Sequence, residues 1–147
     1  MSEQISGQRL FWRFAAPCAN YNLTAGKITP TQFDNVMSYS IDDDDPDVDL
    51  LKDCFPVAFE SLERFIRDKG IDRQQMWSYD TVLACWRLHK GRTTDCAVTE
   101  TVVESVIDGL VQRVLLKNGK IAFNSYGIKV KADDTTLIHR NVVAAVI

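Results

Sequence analysis

Glycine and proline are scarce in this chain, at seven and four of 147 residues. That speaks against an all-β protein built from many tight turns. No stretch comes near the roughly 18 uncharged apolar residues of a spanning helix, so the sequence predicts no membrane span. The leading apolar run, Leu10 to Ala16, is interrupted by Arg13 and is short for a secretion signal. The expected location is the cytoplasm, with no membrane partner. Four cysteines (Cys18, Cys54, Cys85, Cys96) lie far apart and form no Cys-x-x-Cys knuckle, which points to reduced thiols rather than a disulfide framework. There is no Gly-rich phosphate loop, no Gly-x-Ser-x-Gly elbow and no His-Glu-x-x-His helix. These absences remove the motif-bearing enzyme classes and leave sites assembled from distant residues open. No cofactor is expected.

What is present is globular. Apolar residues make up 46% and charged residues 25%, so a folded core is expected rather than disorder. The length predicts a single domain over 1–147. The charge is segregated. Residues 31–54 carry eight aspartates against Lys52, a net of −7, while residues 110–131 carry five bases and no acid. The chain total of −3 hides both. Opposed surfaces of this kind steer encounters and select partners.

Along the chain, Leu10, Phe11 and Phe14 suggest a short helix ended by Pro17, and 18–27 a loop. Thr29-Pro30-Thr31-Gln32 has capping-box spacing, which predicts a helix to about Tyr39 with Phe33, Val36 and Met37 on one face. Residues 41–49 form an acidic loop whose last aspartates meet a helix N-terminus. A helical core over 50–117 follows. Leu51, Phe55, Ala58, Leu62 and Phe65 form a stripe that Pro56 interrupts, predicting a kink or a fresh start there, and Gly70 stops it. Glu60 with Arg64, and Glu63 with Arg67, stand four apart on the wet side. A further helix is expected from Asp72-Arg73-Gln74-Gln75 to about Gly91, with Met76, Tyr79, Leu83 and Trp86 inward.

Residues 99–117 pose a choice. Helical spacing runs through Val102, Val103, Val106, Ile107, Leu110, Val114 and Leu115, against many β-branched residues and Gly109. Because Leu110 to Leu116 does not alternate, a helix is preferred over two strands joined to an Asn118-Gly119 hairpin. Ile121 and Phe123, then Ile128 and Val130, alternate around Asn124-Ser125-Tyr126-Gly127, which predicts a β-hairpin. Asp133-Asp134 makes a turn, and Leu137 to Ile147 a strand or apolar tail. The expected fold is thus a mainly helical α+β protein: four to five helices, then a C-terminal β-hairpin or small antiparallel sheet over 118–147. Two helices and a basic hairpin in the last third loosely resemble a winged helix, by element order alone. About nine residues between the helices, and Glu100, Glu104 and Asp108 on the recognition helix, depart from that pattern.

Three constellations are candidates for function. Asp42, Asp43, Asp44, Asp45 and Asp47 offer an acidic contact for a partner, with Trp12 and Arg13 as an exposed anchor or, equally, as a helix end packed on the domain. Run together and broken by Pro46, these aspartates lack the spacing, glycine and closing glutamate of a calcium loop. Arg113, Lys117, Lys120, Lys129 and Lys131 suit nucleic-acid phosphates or an acidic protein. Cys85 and His89, four apart on an expected helix, with Cys96 seven further on, could supply three zinc ligands or a thiol with its base. The fourth zinc ligand would be Cys18, Cys54 or Asp95. The leading expectation is a non-enzymatic protein that binds another protein, of immunity, inhibitor or accessory-subunit type. Behind it stand a nucleic-acid-binding regulator and a metal or thiol site.

Overall fold

The computed structural model describes residues 5–39, 45–89 and 97–147. The chain divides into two compact units, one spanning Gln4–Trp86 and the other Arg87–Ile147.

The first unit is helical. Ser6 caps α1 (Gly7–Ala15) by accepting from the Arg9 amide. A 3-10 turn over Ala16–Cys18 places Pro17 where its missing N–H costs nothing, and α2 (Ala19–Thr24) follows at once. The expected loop over 18–27 is therefore largely helix. The capping box forms as the spacing predicts: Gln32 N donates to Thr29 Oγ1 at 3.1 Å, and Thr29 N to Gln32 Oε1 at 2.8 Å. It opens α3 (Pro30–Met37), of which only Val36 is fully buried. Asp47 caps α4 (Val48–Cys54) through the Leu50 amide.

Pro56 makes a fresh start. Phe55 leaves the helical region (φ −131°, ψ 60°), and α5 (Pro56–Lys69) begins with the proline in its first turn. The restart rotates the apolar face: Leu62 is buried as expected, but Phe59 and Ile66 take the places expected for Ala58 and Phe65, which are half-buried. Gly70 ends α5 in the left-handed region (φ 66°), and the Ile71 amide closes back on the Ile66 carbonyl at 2.8 Å.

The next expected helix is broken in two. Asp72 caps a single 3-10 turn over Arg73–Gln75, and Ser78 Oγ then receives the Thr81 amide at the head of α6 (Tyr79–Arg87). The unit closes on aromatics. The Phe11 ring lies 5.3 Å from Trp77 and 5.6 Å from Trp86, and Phe14 stacks on Trp86 at 5.1 Å. Contacts of this kind add about 1 kcal/mol each beyond area burial.

The second unit corrects the sequence reading most sharply. Residues 99–117 are not a helix but β1 (Thr99–Ile107) and β2 (Arg113–Leu116). β3 (Ile121–Phe123), β4 (Thr135–His139) and β5 (Val142–Val146) complete a closed five-stranded barrel, ordered β1-β2-β3-β5-β4 and back to β1. All neighbours run antiparallel except β3 and β5. Among the described residues no winged-helix arrangement is present: the supposed recognition helix is strand, and the sheet closes on itself.

The physical cause is local. β1 pairs Val103 with Leu116 and Ser105 with Leu115, so Glu104 is an extra residue at a bulge. One inserted residue breaks the alternation of Val102, Val103, Val106 and Ile107 into a spacing that mimics a helix. The β-branched content, which favours strands, decides the outcome.

Asn118-Gly119 forms the β2–β3 turn, with Gly119 at φ 86°. The hairpin expected between 121–123 and 128–130 does not form. β3 pairs with β2, and its Phe123 with β5. Arg140 and Asn141 both adopt positive φ and join β4 to β5, so the expected single final strand is a hairpin.

Candidate functional site

Register assigns the side chains of β1, β2 and β3 to faces. Val114 and Ala122, a cross-strand pair beside Val106, are fully buried. The flanking rows therefore point outward, because side chains alternate along a strand. One outward row is Ile107, Arg113 and Phe123; the next is Ser105, Leu115 and Ile121. Phe123 is 45% exposed and Ile121 44%. In the β1–β2 loop Leu110 is fully exposed and Val111 half exposed, extending the apolar surface past Ile107. A folded monomer scatters single exposed apolar residues, whereas a contiguous group beside a central arginine has the composition of an interface core.

One hydrogen-bond chain, running Asp108–Gln112–Asn124–Ile128, holds this face. Gln112 Nε2 donates to Asp108 Oδ1 at 3.0 Å across the loop. Buried Asn124 donates through Nδ2 to Gln112 Oε1 and to the Ile128 carbonyl, both at 2.7 Å, and accepts from the Ile128 amide at 3.0 Å. The Asn124 side chain thus plays the part of a strand partner for residue 128.

The basic residues divide. Lys117 Nζ lies 3.0 Å from Asp133 Oδ1. Among the described residues, Arg113, Lys120, Lys129 and Lys131 form no ion pair. Arg113 alone stands within the apolar rows. Sequence reasoning placed it in a basic cluster and missed its apolar neighbours, because a helical reading of 99–117 puts Ile107 and Arg113 on different faces.

The acidic constellation is placed only in part. Asp42, Asp43 and Asp44 lie outside the described residues. Asp45 accepts from Ser6 Oγ at 2.6 Å, and Asp47 caps α4, so both have structural roles. Trp12 is no exposed anchor: it is 4% exposed, and its Nε1 donates to the Val36 carbonyl at 2.8 Å. Arg13 is likewise buried. The 7–15 helix packs on both sides, which a two-faced reading of so short a segment does not foresee. Glu63 meets Arg73 at 3.0 Å rather than the expected Arg67.

The metal and thiol candidates change character. α6 ends at Arg87, so the shared helical face proposed for Cys85 and His89 stops short of His89. Cys96 and Asp95 lie outside the described residues. No group of three His, Cys, Asp or Glu side chains is gathered for a metal among the described residues. Burial pushes the Cys85 thiol up to about 11, and burial followed by the Asp53 charge raises Cys54. Both are poor nucleophiles near neutrality, since the thiolate is the reactive form.

His89 meets fully buried His139 edge to face at 5.5 Å. Burial, and then the positive charge of Arg140, lower the His89 pKa. The folded state favours the neutral imidazole, so on acidification the unfolded chain takes the proton first. His89 contributes stability above its unfolded pKa of about 6.5, and that stability is lost as pH falls through the lower folded value. A lower melting temperature is expected at about pH 5 than at about pH 7.5, with a smaller drop in His89→Gln. An identical drop in the variant would remove His89 as its source.

No helix among the described residues is long and apolar enough to cross a membrane. Set against family models, curated proteins and solved structures, the chain matches none of them.

Proposed function

We propose that this protein is a binding protein, of inhibitor or accessory-subunit type, that engages another protein through the outer face of β1, β2 and β3. The observation that carries the reading is the outward pair of rows centred on Arg113, with Phe123 and Ile121 exposed beside it. Aromatic residues and arginine dominate the energetics of protein interfaces, and lysine and acids are depleted from their cores. The raised thiols support a binding role over nucleophilic catalysis.

Single-stranded nucleic acid is the second reading. One specific observation favours it: the strand order with β3 parallel to β5 is the connectivity of five-stranded barrels that hold oligonucleotides over strands 2 and 3. Connectivity does not assign an activity, and the composition of the face favours protein.

Replacing Ile121 and Phe123 together by Asp tests the reading. Both are exposed, so the melting temperature is expected to hold. Retention of a stoichiometric partner from nuclease-treated native lysate should be lost. Retention equal to that of the unmodified protein would contradict the assignment of this face.

A further inference from the structure

Resting on that reading, we infer that the occupant of the face is a protein segment carrying apolar side chains next to a carboxylate, and that Arg113 receives the carboxylate. Ile107 and Phe123 flank Arg113 in one cross-strand row, and Leu115 and Ile121 fill the row beside it. Any ligand that covers these side chains also removes water from the guanidinium. An uncompensated buried charge is costly, so the ligand must bring an anion to that point. The planar fork of arginine matches a carboxylate or a phosphate through two parallel hydrogen bonds.

The surroundings choose between those anions. A nucleic-acid strand needs a track of cations, one for each phosphate it neutralises. Here Lys117 is engaged by Asp133, Asp108 lies in the β1–β2 loop, and exposed Glu104 stands at the β1 bulge. Lys129 and Lys131 follow β3 and lie outside the two rows, so a repeating anion along the rows meets one cation, Arg113. A peptide with one carboxylate and apolar neighbours meets Arg113 at the centre and apolar side chains around it. Lys120, which forms no ion pair among the described residues, stands at the edge of the hairpin and adds attraction for an acidic segment without demanding burial.

The experiment selects a random-peptide phage library on the full chain, and each enriched peptide is then measured on Phe123→Asp and on the Arg113 variants. Enriched sequences should place Asp or Glu beside apolar residues. A synthetic enriched peptide should bind Arg113→Leu about 30-fold or more weakly, and Arg113→Lys with an intermediate loss. Peptides without acids, or affinity unchanged in Arg113→Leu, would overturn the carboxylate assignment while sensitivity to Phe123→Asp kept the face. Peptides indifferent to both variants would sink the face as well. Two parallel probes complete the test. Binding of oligothymidylate that Phe123→Ala weakens would overturn the inference in favour of nucleic acid. Dimerisation that rises with concentration and vanishes in Phe123→Asp would overturn it in favour of a second copy.

Discussion

Gly7→Ala lowers the stability of the helical unit by about 3 kcal/mol or more, at the upper end of the cost of overpacking. A Cβ at Gly7 would stand 2.1 Å from the Trp77 carbonyl oxygen and 2.9 Å from that of Ser78. Neither atom is the free end of a flexible side chain, so the first turn of α1 or the turn before α6 must move. Helix propensity acts in the opposite sense, favouring alanine by about 1 kcal/mol, and is the smaller effect. Denaturant unfolding followed by tryptophan fluorescence reads the difference. Because the clash is with backbone, Trp77→Ala should not rescue it. A neutral or stabilised Gly7→Ala would show that the close approach of α1 to residues 77 and 78 is wrong.

The second large effect is expected at Asn124, which is 5% exposed. Asn124→Leu keeps the branched shape of the side chain and deletes three hydrogen bonds, two of them to the Ile128 backbone. Orphaning that buried amide and carbonyl costs about 3 kcal/mol. Asn124→Asp is expected to fail similarly, since a carboxylate cannot donate to the Ile128 carbonyl. Faster exchange of the Ile128 amide would accompany the loss. Gln112 Oε1 loses its donor too and Gln112 is then held through Asp108 alone, so the β1–β2 loop that carries Leu110 and Val111 should loosen. Protection of Ile128 unchanged in Asn124→Leu would refute the role given to this side chain.

The helical unit was readable wherever a cap announced an element. Thr29-Pro30-Thr31-Gln32, Asp47, Pro56 and Gly70 each act within one turn, and local hydrogen bonding suffices to fix them. Asp72 shows the limit: the same chemistry caps one 3-10 turn, because nothing in a cap specifies how far the helix continues. Trp12 was misplaced because burial on every side of α1 comes from tertiary packing, which a short segment does not encode.

The barrel was hidden for a different reason. Two residues decide it, Glu104 by shifting the register of β1 and Asn124 by replacing a strand pairing with its side chain. Glu104 acts on the pairing of β1 with a separate strand, and Asn124 acts on a backbone four residues ahead through a side-chain pairing that strand periodicity does not encode. The scarcity of Gly and Pro rightly spoke against an all-β protein, and the barrel turns use Asn118, Asp133, Arg140 and Asn141 as well as Gly119. The basic cluster was visible as composition. Its apolar setting appears only once β1, β2 and β3 are aligned.

Crosslinking from defined positions tests the central assignment most directly. A photoreactive amino acid placed at Ile121 reports on the outer barrel face, and one at Val57, exposed on α5, serves as the comparison. Irradiation in native lysate should yield one discrete protein adduct from position 121 and none from position 57, and Arg113→Leu should weaken it. An adduct from position 57 with none from position 121 would place the contact on the helical unit and contradict the account.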